Sequence, residues 1–103
     1  MYEVKSPEVR AQFEAMMKHD KVRKVLDFIK ADERNSIEEL KELVQIEAPT
    51  HHEEARAAVF ARKLKDLGLE DVHTGRGGNV IGLRSGNGKG PKVVIEGHMD
   101  TVF

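Results

Sequence analysis

A histidine and an aspartate separated by one residue, His98 and Asp100, are the clearest candidates for chemistry in the sequence. They follow an apolar run, 93–95, that is typical of a buried strand. In open α/β sheets, binding and catalytic sites gather at the carboxyl ends of strands. A neutral imidazole there can bind a metal ion, while a carboxylate two residues on accepts the other ring N–H and fixes the tautomer. The spacing alone is also compatible with a solvent-exposed loop histidine that has no role in metal binding and lies beside an ordinary aspartate.

The composition excludes several other classes of function. The 103 residues include no Cys, which removes disulfides, thiolate zinc sites and cysteine nucleophiles. With 17 Lys and Arg against 18 Asp and Glu, the formal net charge is -1, so we expect no nucleic-acid partner and no anionic membrane surface. No apolar stretch approaches the ~20 residues of a spanning helix, and the N-terminus lacks the apolar core of a signal peptide. We therefore expect a soluble, cytoplasmic, globular protein.

Helical signals dominate the first part of the chain. Ser6 followed by Pro7 predicts a capped helix start, and apolar residues follow at helical spacing. His19-Asp20 should break this helix, with Asp20 as the cap of a second one.

Two capping boxes predict two further helices. Ser36 with Glu39 should open a helix that ends at Pro49, because the residue before a proline is pushed away from helical angles. The segment 50–53 should open the next helix, which Gly68 should stop. The adjacent pair His51-His52 invites a metal-binding interpretation, but on a helix the two rings would point about 100° apart. We therefore favour an ordinary first helical turn for this pair.

The pattern changes to strands after Gly68. Candidate strands are 70–74, 79–84 and 92–96, separated by glycine-rich turns. The apolar run in 92–96 is typical of a strand covered on both faces. Such a strand needs neighbouring strands and covering helices, so we expect the chain to be an N-terminal portion of a longer protein. In the 103 residues alone, Val93 to Ile95 should lie at an incompletely covered edge or against a second copy.

The glycine-rich segment 86–90 has some features of a phosphate-binding loop. It lacks the first glycine, because position 83 is Leu83, and Gly90 stands where Ser or Thr is needed. Pro91 and a strand follow in place of a helix. A hairpin connection is the better interpretation, and nucleotide binding ranks below the other hypotheses.

Four segments together resemble the M20 family of zinc-dependent peptidases and amidohydrolases. The most specific is the apolar strand followed by His98-Met99-Asp100-Thr101-Val102. The others occur in the family's order between residues 36 and 103: Ile46-Glu47-Ala48-Pro49-Thr50 with the following acids, Leu67-Gly68-Leu69, and Gly78-Asn79-Val80-Ile81-Gly82.

The resemblance implies an α/β fold: N-terminal helices followed by the first strands of a mixed, largely parallel sheet of a zinc-exopeptidase-like catalytic domain. Residues 1–35 would be a helical extension, and 36–103 the start of the catalytic core. His98 would ligate one zinc ion of a two-zinc site, and Asp100 would be the catalytic-site acid that orients His98. The remaining ligands and the general base would lie downstream.

The resemblance also implies an activity for the full-length protein. It would hydrolyse amide bonds of short peptides or N-acyl amino acids as a homodimer, and the 103 residues alone would be inactive. The alternative is a non-catalytic helical protein-interaction module with a small β-appendage. Residues following Phe103 would discriminate: the first hypothesis predicts an Asp within a few dozen residues and later a Glu-Glu pair.

Overall fold

A computed structural model of the protein describes residues 5–103, and over this range the protein is α/β. Four helices precede a two-stranded antiparallel sheet. The chain divides into two compact units, the first ending at Glu39 and the second comprising Leu40–Phe103. Within the described range, no helix has the length and apolar character needed to cross a membrane. The helices are α1 (Pro7–Lys18), α2 (Asp20–Ala31), α3 (Glu33–Val44) and α4 (Glu54–Asp66).

The predicted start of α1 is confirmed. The Ser6 hydroxyl accepts the N–H of Val9 at 3.4 Å, so the serine caps the helix that begins at the following proline. The predicted break after α1 is also confirmed, but the cap of α2 is His19 and not Asp20. The Nδ1 atom of His19 accepts the N–H of Lys21 at 3.2 Å.

The predicted boundaries of α3 are wrong at both ends. The helix begins at Glu33, one turn before the expected cap Ser36, and it ends at Val44, before Pro49. The carbonyl of Asp32 accepts the N–H of Ser36 at 2.9 Å, so the serine already lies within a helical turn and cannot cap a new one.

The end of helix α4 and the hairpin after it agree with the sequence. The helix is followed by Gly68 at φ +77°, the left-handed conformation that favours glycine as a stop signal. Strands β1 (Glu70–Thr74) and β2 (Val80–Leu83) then pair antiparallel. In β2, a Cβ added at Gly82 would lie 2.9 Å from Cδ2 of Leu69 and 3.4 Å from Cδ1 of Leu64, so the hairpin packs closely against α4.

Residues 92–96, which the sequence predicts as a strand, are not a strand in the structure, and over residues 5–103 the sheet is two-stranded and antiparallel. Residues 91–100 adopt no regular secondary structure. Val93, Val94 and Ile95 are 77%, 83% and 94% exposed, which agrees with the expectation of incomplete cover. A strand is stabilised by backbone partners on a neighbouring strand, and within residues 5–103 the two assigned strands pair with each other.

Replacing Gly82 by alanine should destabilise the second unit, because the new Cβ would also lie 3.3 Å from Cβ of Leu69. Overpacking of this kind costs about 1–3 kcal/mol of unfolding free energy. Gly86→Ala is the matched control, since a Cβ at Gly86 would meet nothing within 4 Å. Urea denaturation should show a loss of about 1 kcal/mol or more for Gly82→Ala and a change within about 0.5 kcal/mol for Gly86→Ala. Equal changes in the two variants would contradict the close packing.

Candidate functional site

The candidate site lies where two segments of the second unit, 46–50 and 99–103, meet. The N–H of Thr101 donates to the carbonyl of Ala48 at 2.8 Å, and the N–H of Ala48 donates to the carbonyl of Phe103 at 3.0 Å. Pro49 and Thr101 form an isolated parallel bridge. Because Pro49 has no N–H, the buried Ala48 provides both the donor and the acceptor that join the segments.

A buried arginine from α4 also joins the two segments. Arg56 is only 5% exposed. Its Nε donates to the carbonyl of Ile46 at 3.0 Å, and Nη2 donates to the same carbonyl. Nη1 donates to the carbonyl of Met99 at 2.6 Å, and Nη2 donates to Oγ1 of Thr101 at 3.1 Å. The guanidinium therefore binds segment 46–50 on one side and the residues flanking Asp100 on the other.

His98 and Asp100 contact each other as their spacing predicts. Nδ1 of His98 lies 2.9 Å from Oδ1 of Asp100 and 3.1 Å from the Asp100 carbonyl oxygen. The other carboxylate oxygen, Oδ2, accepts the hydroxyl of Thr50 at 2.7 Å. The imidazole side chain is 84% exposed, whereas that of Asp100 is 35% exposed. Both oxygens of the carboxylate are therefore engaged, and the ring that it contacts faces solvent.

These contacts favour the ionised form of Asp100. The hydrogen bond from Thr50, and next the hydrogen bond from His98, lower the pKa of the Asp100 carboxyl below its ordinary value. Partial desolvation acts in the opposite direction without reversing the shift. Asp100 is consequently a carboxylate at neutral pH and can accept the ring N–H of the histidine.

The arrangement leaves one imidazole nitrogen available for a ligand. When a carboxylate holds one ring nitrogen, the tautomer is fixed and the other nitrogen can bind a cation such as zinc. The donor chemistry at His98 fits this requirement, because Nδ1 is engaged and the ring is exposed. Among residues 5–103, no three or more His, Asp or Glu side chains are grouped to hold a metal.

The structure does not support the helical interpretation of His51-His52. Helix α4 begins at Glu54, and His51 precedes it with φ 71°. The expected capping box fails because the hydroxyl of Thr50 donates to Asp100, while the carboxylate of Glu53 accepts the N–H of His51 at 2.8 Å.

Sequence reasoning missed two contributors to the site, Thr50 and Arg56. The sequence predicts a local cap at Thr50, whereas the partner of its hydroxyl in the structure, Asp100, is 50 residues away in the sequence. One signal for Arg56 was available: it lies four residues before Phe60, on the edge of the apolar stripe of α4. A cationic side chain at such an edge can be directed towards buried carbonyl groups.

Replacing Thr50 by valine should raise the pKa of the Asp100 carboxyl towards its ordinary value, because the hydroxyl stabilises the charged form. Thr50→Ser is the matched control that keeps the hydroxyl. Carbonyl carbon-13 NMR titration of Asp100 in the three proteins measures the shift. An unchanged pKa in Thr50→Val would contradict the hydrogen bond.

The same substitution has a consequence for acid stability. A carboxyl whose pKa is lowered on folding contributes stability above its unfolded pKa, and this contribution is lost as the pH falls through the folded value. Thr50→Val should therefore lose less stability than the wild type on acidification through this range, as measured by thermal unfolding at several pH values.

Comparison with known proteins gives matches over part of the chain. A relative from Pyrococcus abyssi (strain GE5 / Orsay), provisionally named LysW-lysine/LysW-ornithine hydrolase, is 43% identical over 63 residues, covering 61% of this chain and 18% of the relative. A relative of the same name from Pyrococcus furiosus is 41% identical over 66 residues, covering 64% of this chain and 19% of that relative. The uncharacterized protein YqjE of Bacillus subtilis (strain 168) is 38% identical over 79 residues, covering 69% of this chain and 21% of YqjE.

No family model matches the chain. The chain spans about a fifth of the length of these curated relatives. The names of the archaeal relatives support hydrolase activity in those full-length proteins.

Proposed function

We propose that this chain supplies the N-terminal part of a zinc-dependent amidohydrolase of the M20 type. The observation that carries the proposal is the contact of 2.9 Å between Nδ1 of His98 and Oδ1 of Asp100, on a ring that is otherwise exposed. The hydrolase names of several relatives support the reaction class. In this proposal the reaction is hydrolysis of an amide bond.

His98 is the proposed metal ligand of this chain. With Nδ1 directed at the carboxylate, Nε2 is the nitrogen that would bind one zinc ion of a two-zinc site. Zinc bound there would supply Lewis-acid polarisation of the amide carbonyl and acidification of a water molecule. The remaining ligands and the general base are proposed to come from later parts of the full-length protein.

Asp100 acts through His98 in this proposal. Its Oδ1 receives the ring N–H and fixes which nitrogen faces the metal. Thr50 holds the other oxygen at 2.7 Å, which restricts rotation of the carboxylate away from the ring. The pair is thus oriented before any metal binds, which lowers the entropic cost of ligation.

The proposed substrates are short peptides and N-acyl amino acids. Because several relatives are named for LysW-lysine and LysW-ornithine, substrates that release lysine or ornithine should be tested first. We also propose a homodimer in the cytoplasm for the full-length protein, with no nucleic-acid or membrane partner.

His98→Ala in the full-length protein should lower zinc content or the rate of amide hydrolysis about tenfold or more, because a ligand is lost. His73→Ala is the matched control, since His73 also neighbours an aspartate: its Nδ1 lies 3.6 Å from Oδ1 of Asp71. Zinc is measured by atomic absorption after dialysis, and hydrolysis is measured by release of free lysine or ornithine.

Removal of the metal provides a second test of the same proposal. Prolonged dialysis against a chelator should abolish hydrolysis, and added zinc should restore it in the wild type and in His73→Ala. Unchanged zinc content and rate in His98→Ala would refute the ligand role. Hydrolysis that survives chelation would refute the zinc mechanism.

A further inference from the structure

The buried cation of Arg56 is not explained by the proposed function. A charged side chain that is 5% exposed is costly unless hydrogen bonds or an opposite charge compensate for the lost water. Over the described part of the chain, Arg56 donates to two backbone carbonyls and one hydroxyl, and no carboxylate is among its partners. The guanidinium therefore serves as a donor to neutral oxygen atoms.

Two of the three partners of Arg56 flank Asp100 in the sequence. Nη1 donates to the carbonyl of Met99, and Nη2 donates to the hydroxyl of Thr101. The same planar group is bound through Nε and Nη2 to the carbonyl of Ile46. The residues immediately before and after Asp100 are thus fixed to a single rigid group, which restricts the backbone from which the carboxylate projects.

An arginine suits this position better than a lysine. Its guanidinium presents five N–H donors in a fixed plane, so one side chain can reach three oxygen atoms in different directions. Hydrogen bonds from a charged donor are also shorter and stronger than those between neutral groups. The single ammonium of a lysine has no such fork and is more strongly hydrated.

We infer that Arg56 is a positioning residue for the His98–Asp100 pair: by binding Met99 and Thr101, it holds the Asp100 carboxylate where it receives Nδ1–H of His98. The consequence for metal binding rests on the proposed function. The positioning itself is a property of this chain and can be measured without metal or substrate.

The test compares Arg56→Lys with Arg62→Lys, an exposed arginine of the same helix, in nitrogen-15-labelled protein. Two NMR signals report on positioning: the ring Nδ1–H proton of His98 and the amide proton of Thr101, which donates to Ala48 at 2.8 Å. In Arg56→Lys, both protons should exchange with water about tenfold faster, the size expected when one or two hydrogen bonds are lost. In Arg62→Lys, both rates should match the wild type.

A general loss of structure in Arg56→Lys would also speed amide exchange elsewhere in the second unit, so signals from the hairpin distinguish it from a loss of positioning. The amide of Gly75, which donates to Asn79 at 2.9 Å in the hairpin, should keep its wild-type exchange rate in Arg56→Lys. Slower or unchanged exchange of the His98 ring proton in Arg56→Lys would overturn the inference, as would equal acceleration at Gly75.

A second variant keeps the inference testable if Arg56→Lys does not fold. Thr101→Val removes the hydroxyl that accepts from Nη2 and nearly preserves the shape of the side chain. Exchange of the His98 ring proton should again become several-fold faster, because the variant loses the bond from Nη2 and the bond that the same hydroxyl donates to the carbonyl of Phe103 at 2.6 Å. A wild-type rate in this variant would overturn the inference.

The two proposals fail independently. If the His98 ring proton loses protection in Arg56→Lys while His98→Ala keeps zinc and activity in the full-length protein, the positioning stands and the proposed function fails. If protection is unchanged while His98→Ala is inactive, the function stands and the role of Arg56 fails.

Discussion

The guanidinium of Arg56 is buried where segments 46–50 and 99–103 meet, and burial of a cation is stable only when its donors are satisfied. Four hydrogen bonds to carbonyl and hydroxyl oxygens meet this need. Because those oxygens belong to both segments, satisfying the arginine also fixes the segments to each other. The order of the region where the two segments meet follows from that constraint, since the other buried residues of the second unit, Ala48 and Ala57, offer little side-chain surface for packing.

In the candidate site, a series of contacts leads from the buried Arg56 to the solvent-exposed ring of His98. Arg56 binds the backbone carbonyl of Met99 and the side-chain hydroxyl of Thr101, on either side of Asp100. Asp100 in turn accepts the hydroxyl of Thr50 and contacts the exposed ring of His98. Each contact restricts the next group, from a buried cation to an imidazole that is 84% exposed. Such an arrangement fixes one nitrogen of a histidine while leaving the ring accessible, which suits a metal ligand.

The parts of the fold that the sequence predicts are those set by nearby residues. The helix start at Ser6, the stop at Gly68 and the hairpin agree with the structure because each depends on a few adjacent residues. The strand predicted at 92–96 fails because pairing needs a partner elsewhere. The cap predicted at Thr50 fails because a distant carboxylate takes its hydroxyl. At the site, the sequence predicts the pair His98 and Asp100. The hydrogen bonds from Arg56 of α4 to the residues flanking Asp100 depend on tertiary contacts, which the sequence does not show.

The most direct test of the whole account is a crystal structure of the full-length protein grown with zinc, together with anomalous diffraction at the zinc edge. We expect a zinc ion on Nε2 of His98, with Nδ1 still directed at Oδ1 of Asp100 and Arg56 still bound to the carbonyl of Met99. Zinc bound through Nδ1, or zinc held at a site that excludes His98, would contradict this expectation.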